Sequence, residues 1–172
     1  MTECTCAAGC VRVLIQRNVN GSNAFNRSWA EFKVGFNDSR GNYWLGNDRL
    51  HQLTANDRYK LRFDLQIRSN LSWIYAEYSS FVVSSEADNY RMRVSGYSGN
   101  AGDWFSYTNG YEFTTYDRDN DQWGTNCAVE NVGGFWYKDC AWASVNAMKR
   151  SGYDNFEWHS LQLQSTLMWL IC

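Results

Sequence analysis

The sequence predicts an α+β domain: a central, twisted, mostly antiparallel sheet with a few short helices, followed by a loop-rich segment. Three observations predict this class. Residues 59–67 alternate between apolar and polar side chains, two further strand-like segments follow in series, and an aromatic stripe at helical spacing precedes them. Such alternation is typical of a half-buried strand. The chain lacks a regular succession of strand and helix, which argues against a parallel nucleotide-binding sheet.

The first elements are a strand and a helix. Residues 11–15 form a short apolar run that predicts a buried strand, and a turn is expected at Asn20 because a glycine follows it. Aromatic side chains then recur at spacings of four, three and four residues: Phe25, Trp29, Phe32 and Phe36. This stripe predicts an amphipathic helix that faces the core, capped by Ser22 or Asn23 and ending near Gly35.

A short strand and a helical turn come next. The segment YWLG at 43–46 predicts the strand, and RLHQLT at 49–54 predicts the turn. His51 lies beside Leu50 and Leu53 in this turn. We interpret His51 as a hydrogen-bonded core residue rather than a metal ligand or a catalytic base, because a lone histidine among apolar residues usually has that role.

The clearest strand covers residues 59–67. Its apolar side chains fall on one face: Tyr59, Leu61, Phe63, Leu65 and Ile67. Segments 73–83 and 89–97 predict the next strands of a meander, and 165–171 predicts an apolar strand that returns to the sheet. From Ser98 to Asp154 the chain is rich in Gly, Asn, Asp and aromatic residues, and a long irregular segment of this kind usually carries function.

Composition excludes several classes of protein. Aromatic residues make up 17% of the chain, which excludes a disordered one. A formal net charge of −2 gives no general attraction to nucleic acid, and no apolar run is long enough to span a membrane. The opening MTECTCAAGC does not have the pattern of a secretory leader. We expect a segment of a longer, secreted protein.

Cysteine usage favours a piece of a longer protein over a cytosolic chain or a mature form. The six cysteines are Cys4, Cys6, Cys10, Cys127, Cys140 and Cys172. The Cys4–Cys6 spacing is too tight for a usual zinc site, and no histidine is near it. Four N-x-S glycosylation sequons give weak support to secretion: Asn20, Asn26, Asn37 and Asn70.

An acidic run follows at 117–121. Asp117, Asp119 and Asp121 place three carboxylates on alternate residues, which suits calcium as a hard cation. The run is not an EF-hand loop, because Gln122 stands at the glycine position and Ala128 at the final glutamate position. From spacing alone, a calcium site and a solvated acidic turn are both open.

Cys127 and Cys140 form an isolated pair with twelve residues between them. A disulfide here would stabilise the fold by about 3 kcal/mol in the chain-entropy model. Two free, buried thiols are the alternative.

Several motifs together resemble the fibrinogen C-terminal domain family, in the style of ficolins, tenascins and invertebrate fibrinogen-related lectins. They include YWLGNDRLHQLT, FTTYDRDNDQWGTNCA and GGFWYKDC, and similar segments cover nearly the whole chain. The resemblance implies one domain over 1–172 without the family's usual opening subdomain. Its sheet-bearing part is expected at about 11–97 with a returning strand at about 164–171, and its calcium- and disulfide-braced loop-rich part at about 98–163.

The resemblance also implies the site residues. Calcium is expected on the carboxylates of Asp119 and Asp121 and on the main-chain carbonyls of Trp123 and Thr125, with Asp117 outside the shell. Cys127 and Cys140 are expected to be joined. The ligand pocket is expected beside the ion, over a cis peptide bond between Asp139 and Cys140, with further positions at Asn131, Ala141, Tyr153 and Asp154.

Departures from the family pattern weaken that pocket. Ala141 stands where the family's lectins usually have a histidine, Ala147 replaces a glycine after Asn146, and the segment 158–163 is shorter than usual. Arg12 occupies a position where the family has a tryptophan. Cys172 is an extra cysteine that could link to the N-terminal segment or to another chain as an oligomer.

The resemblance implies a secreted, calcium-dependent recognition module with no enzymatic activity. The first hypothesis is lectin-type binding of acetylated or anionic glycan groups in innate defence. The alternative is an extracellular-matrix, adhesion or receptor-ligand module that binds extracellular or cell-surface proteins. No nucleic-acid partner and no membrane span are expected. His51 and His159 have no catalytic partners nearby in the sequence, which argues against an enzyme.

Overall fold

The computed structural model describes residues 12–56, 59–149 and 155–172. Within these ranges the strands are β1 Arg12–Val19, β2 Phe36–Asn37, β3 Tyr43–Trp44, β4 Lys60–Ile67, β5 Trp73–Val83, β6 Met92–Gly99, β7 Phe113–Thr114, β8 Phe135–Trp136, β9 Glu157–Trp158 and β10 Leu161–Ile171. The α-helices are α1 Trp29–Val34, α2 Asn47–Thr54 and α3 Cys127–Asn131, and 3₁₀ helices cover Asn23–Phe25, Glu86–Asp88 and Phe105–Thr108.

The main sheet has the strand order β2-β3-β1-β10-β4-β5-β6, and every neighbouring pair is antiparallel. β9 pairs with the start of β10, and β7 and β8 form a separate small ribbon. The predicted α+β class with an antiparallel sheet is therefore confirmed. β10 lies in the middle of the sheet, between β1 and β4. It begins at Leu161, four residues before the predicted start, and β1 runs on to Val19.

The alternation in β4 produces the expected division between core and surface. Leu61, Phe63 and Leu65 are completely buried, whereas the side chain of Arg62 lies on the other face and pairs with Asp64. Large aromatic side chains fill the rest of the core, among them Trp44, Phe105, Phe113, Trp136 and Trp158. Burying each of these rings contributes about 2 kcal/mol or more, so the aromatic content of the sequence is mostly structural.

The aromatic stripe correctly predicts which face of the first helix is buried and that the helix ends near Gly35, but it predicts the wrong start. Neither Ser22 nor Asn23 caps an α-helix, because residues after them form a 3₁₀ turn. α1 begins at Trp29, where the side chain of Ser28 accepts from the N–H of Glu31 and the Glu31 carboxylate accepts from the N–H of Ser28. This reciprocal capping fixes the start of the helix. Gly35, with φ of 90°, ends it as predicted.

A buried polar network joins the sheet to the loop-rich segment. The side-chain amide of Gln16 in β1 donates to the carbonyl oxygen of Val145, the Oδ1 of Asn146 and the hydroxyl of Thr166. Asn146 in turn donates to the carbonyl oxygen of Gly134 at 2.9 Å. Because Gln16, Asn146 and Thr166 are all fully buried, these bonds fix the position of the loops on the sheet.

His51 is hydrogen-bonded as expected, but it is half-buried and not a core residue. Its Nδ1 lies 2.9 Å from the carbonyl oxygen of Val83, so the ring links α2 to β5. Across the described ranges, no helix is both long and apolar enough to cross a lipid bilayer. Cys172, at the end of β10, is disulfide-bonded, while Cys4, Cys6 and Cys10 lie outside the described residues.

Candidate functional site

Cys127 and Cys140 are joined by a disulfide, with their Cα atoms 5.3 Å apart. Cys127 is buried at the start of α3, where the side chain of Asn126 accepts from the N–H groups of Ala128 and Val129. This cap explains why the helix begins directly at the cysteine. The bridge attaches the turn at Cys140 to a well-anchored helix.

The acidic run forms a loop that folds back on this helix. One carboxylate oxygen of Asp121 accepts from the N–H of Cys127 at 2.9 Å, and the other accepts from the N–H of Trp123 at 3.0 Å. The N–H of Asp121 donates to the Asp119 carboxylate at 3.3 Å, which places the two acidic side chains together. Burial, with the nearby charge of Asp119, raises the pKa of Asp121 to about 6 despite the N–H donors that oppose it.

This loop fits a calcium ion. A cation between Asp119 and Asp121 would neutralise the charges that now disfavour each other. In the described residues, no hydrogen bond reaches the carbonyl oxygens of Trp123 and Thr125, so both are available as ligands. Two carboxylates and two carbonyls leave room for water in a shell of about six to eight oxygens. In the described parts of the chain, no cluster of three or more His, Cys, Asp or Glu side chains could hold a metal ion.

Asp117 has a different role. Its carboxylate accepts from the N–H of Trp29 at 2.9 Å and from the hydroxyl of Thr115 at 2.7 Å. It therefore anchors the acidic run to the start of α1, where a negative charge is favourable, and is not directed at Asp119.

The residues expected to line the pocket are only partly brought together. Asp139 is exposed and Ala141 half-buried, on either side of Cys140. Asn131 is buried, and its side chain donates to the carbonyl oxygen of Cys127 at 2.8 Å, so it supports α3 rather than facing solvent. The remaining expected positions, Tyr153 and Asp154, lie outside the described residues.

The expected cis peptide bond between Asp139 and Cys140 is wrong, because no peptide bond of the described residues is cis. Cys140 instead has φ of 60°. Its carbonyl oxygen accepts from the N–H of Lys138 at 2.9 Å, which closes a tight turn. A left-handed residue thus reverses the chain at this position, and the bridge to Cys127 holds it there.

An aromatic surface that the sequence did not predict lies beside this turn. Trp142 is 46% exposed and stacks on Tyr107, with ring centroids 4.6 Å apart and planes 5° from parallel. Trp104 stacks on His159 at 3.9 Å, and the rings of Trp104 and Trp142 are 5.6 Å apart. We call these four residues the aromatic shelf. Because they come from three separate segments of the chain, only the position of Trp142 two residues after Cys140 could have indicated them.

The shelf carries charge at its Tyr107 end. The phenol of Tyr107 donates a hydrogen bond to the Asp139 carboxylate, and the Nζ of Lys138 lies 4.8 Å from the centre of the Tyr107 ring. The bond to Asp139 raises the pKa of Tyr107 to about 12 and lowers that of Asp139. The surface therefore presents flat aromatic rings next to one carboxylate and one ammonium group.

The shelf and the acidic loop are neighbours. The N–H of Gln122, in the acidic loop, donates to the carbonyl oxygen of Lys138 at 2.7 Å. The phenol of Tyr111 also donates to the side chain of Gln122, at 3.2 Å. A cation bound to the loop would therefore brace the strand that leads into Asp139 and Cys140.

Comparison with known proteins identifies the family of this chain. The family model described as the C-terminal globular domain of fibrinogen beta and gamma chains matches residues 3–170. The chain belongs to the fibrinogen C-terminal domain family. As the sequence predicted, the fibrinogen domain is extracellular.

Several known proteins are similar to this chain in sequence, in fold or in both. Tenascin from Gallus gallus is 42% identical over 143 residues, which cover 83% of this chain and 8% of tenascin. The fibrinogen-like globe domain of human ANGPTL2 is 37% identical with a TM-score of 0.84, over 92% of this chain and 79% of that one. Lamprey fibrin D-dimer, solved with a Gly-His-Arg-Pro-amide peptide ligand, is 28% identical with a TM-score of 0.83, over 93% and 61%. This chain thus spans only a small part of tenascin.

The hydrogen bond between Tyr107 and Asp139 can be tested in the fibrinogen domain by titration. Replacing Asp139 with alanine is expected to lower the pKa of Tyr107 from about 12 toward its usual value of about 10. A raised pKa favours the neutral phenol, so the stabilising effect is complete below pH 10 and is lost as the pH rises through about 12. Ring-carbon NMR titration would measure it, with Tyr107→Phe to assign the signal. An unchanged pKa in Asp139→Ala would contradict the contact.

Proposed function

We propose that this fibrinogen-like domain is an extracellular recognition module that binds a matrix or cell-surface protein and performs no catalysis. The observation that carries the proposal is the aromatic shelf, where Trp142 and Tyr107 are stacked beside the disulfide turn. Trp142 is exposed and is held in place by the half-buried ring of Tyr107, and an exposed tryptophan of this kind is a typical anchor of protein–protein interfaces. Asp139 and Lys138 supply charged groups at the margin of the shelf, where they would orient a partner.

The relatives support binding to a protein. Tenascin is among them, and the lamprey fibrin D-dimer was solved with a peptide ligand. By analogy with these proteins, the partner of this domain is a protein or a peptide.

A lectin function has less support. An acetyl group needs a hydrogen bond to its oxygen and an apolar wall for its methyl group. The position that usually carries a histidine is Ala141, and the turn at Cys140 is built on a trans peptide bond. We therefore do not favour acetylated-glycan recognition in innate defence.

We also propose that calcium supports this surface. Asp119 and Asp121 would bind the ion through their carboxylates, and Trp123 and Thr125 through their carbonyl oxygens. The ion would supply a fixed positive charge that holds the loop in one conformation. Since Gln122 bonds to the carbonyl oxygen of Lys138, an ordered loop would keep the shelf in its binding-competent shape.

The test is binding of the purified domain to an array of purified matrix proteins and cell-surface ectodomains. Trp142→Ala is expected to weaken the partner's affinity by about 30-fold or more, since loss of an interface anchor costs at least about 2 kcal/mol. Val34→Ala is the control, because Val34 is also an exposed apolar side chain, at 70%, and lies at the end of α1, which holds no shelf residue.

Two outcomes would reject the proposal. One is a partner that binds Trp142→Ala and the unmodified domain equally well. The other is displacement of the partner by micromolar N-acetylglucosamine, which would return the function to a lectin.

A further inference from the structure

The four N-x-S sequons differ sharply in their local structure, and all four lie in described residues. Such a sequon marks an asparagine that can accept a glycan during secretion. Glycan attachment requires an accessible side-chain amide and a hydroxyl two residues later that is free to act on it. We therefore compared the four serines and their asparagines.

The Asn70 sequon lies at the tip of the hairpin between β4 and β5. Residues 69–73 are exposed throughout. The hydroxyl of Ser72 donates to the Oδ1 of Asn70 at 2.8 Å, and the N–H of Ser72 donates to the same oxygen at 3.0 Å. Both bonds are local to the tripeptide, so they can form before the rest of the domain folds.

The Asn20 sequon is part of the packed structure. Its middle residue, Gly21, is buried, and the hydroxyl of Ser22 accepts from the side chain of Asn42 at 3.2 Å instead of donating to Asn20. The Oδ1 of Asn20 accepts from the side chain of Gln164. These contacts link the tripeptide to β10 and to the β2–β3 turn, which leaves little freedom for modification.

The remaining two sequons lack the local bond as well. The hydroxyl of Ser28, in the Asn26 sequon, donates to Glu31 and caps α1. Asn37 is in strand β2, and no hydrogen bond from Ser39 to Asn37 occurs in this described part of the chain. Among the four sequons, therefore, only that of Asn70 has its serine hydroxyl hydrogen-bonded to its own asparagine.

We propose that Asn70 carries an N-linked glycan. Two donors to Oδ1 draw electron density from the amide, which eases loss of a proton from Nδ2. Nδ2 then attacks the anomeric carbon of a lipid-linked glycosyl pyrophosphate, forming the N–C bond while the C–O bond to pyrophosphate breaks. The pyrophosphate leaves with the electron pair, and the proton passes to a base of the transferring enzyme.

The surroundings of Asn70 give the glycan a structural role. Leu71 is 59% exposed and Trp73 is 50% exposed, on a hairpin tip where apolar side chains would otherwise meet water. A carbohydrate attached to Asn70 covers these side chains, because the C–H faces of a sugar ring pack well on an indole. The glycan thereby gives the hairpin tip a hydrated surface in place of an exposed apolar surface that would favour association.

Mass mapping of protein secreted from a eukaryotic cell line tests this. Digested peptides are treated with a glycosidase that converts glycan-bearing Asn to Asp in heavy-oxygen water. We expect the label at Asn70, its complete loss in Ser72→Ala, and its retention in Ser72→Thr. Asn26→Gln is the matched control and should leave the Asn70 label unchanged.

The measurement is made on the wild-type protein as well as on variants, so a variant that fails to fold leaves the result interpretable. An unlabelled Asn70 in secreted wild-type protein would overturn the proposal, and so would a label that persists in Ser72→Ala. The disulfide between Cys127 and Cys140, mapped in the same digest without reduction, reports that the secreted domain is folded.

Discussion

Replacing both Asp119 and Asp121 with alanine is expected to abolish calcium binding and the rise in melting temperature that calcium causes. A ligand that binds only the native state adds stability that grows with its concentration, to about 4 kcal/mol at 1,000 times the dissociation constant. Isothermal calorimetry and thermal unfolding, both started from chelator-treated protein, would measure the two effects.

The control for calcium binding is Asp139→Ala, which removes an exposed carboxylate from the neighbouring turn and should leave calcium binding intact. If chelator-treated wild-type protein releases no heat with calcium, the site is a solvated acidic turn. Calcium binding that survives in the Asp119→Ala, Asp121→Ala protein would place the ion elsewhere.

Asn146→Ala is expected to lower the free energy of unfolding by about 2 to 4 kcal/mol. The substitution leaves the buried carbonyl oxygen of Gly134 without its donor and removes one acceptor from Gln16. A buried polar group that loses its partner costs about 1–3 kcal/mol, and the small cavity adds to this. Urea unfolding followed by tryptophan fluorescence would measure the change.

Asn23→Ala is the matched control for Asn146→Ala, because Asn23 is an exposed asparagine outside the buried network. Its stability should stay within about 0.5 kcal/mol of wild type. Equal effects of the two substitutions would mean that the network does not hold the loops on the sheet.

The sheet was predictable because its signal is local. The alternation at 59–67 and the long run at 73–83 depend on side chains that neighbour one another along a strand, and both strands form within a residue of the expected bounds. The same reasoning identified the face of the first helix. It gave the wrong helix start, because the aromatic stripe begins at Phe25, whereas the capping pair of Ser28 and Glu31 sets the start at Trp29.

The candidate site was less predictable, for two physical reasons. The conformation of Cys140 is set by a turn and a bridge to a distant cysteine, and the resemblance led to a cis bond that the chain does not have. The aromatic shelf brings Trp104 and Tyr107, from one 3₁₀ helix and its N-cap, together with Trp142 and His159, and no spacing in the sequence relates these three segments. The residues expected on the calcium loop remain a prediction, as do the pocket positions.

The central place of β10 determines when this domain can fold. During synthesis, β1 and β4 leave the ribosome long before Leu161–Ile171, the strand that lies between them. Until then the sheet exists as two separate pieces with open edges, which can pair with other chains. Closing it requires contacts between segments far apart in sequence, and such contacts form slowly. A stop codon within β10 would therefore leave two half-sheets rather than a shortened domain.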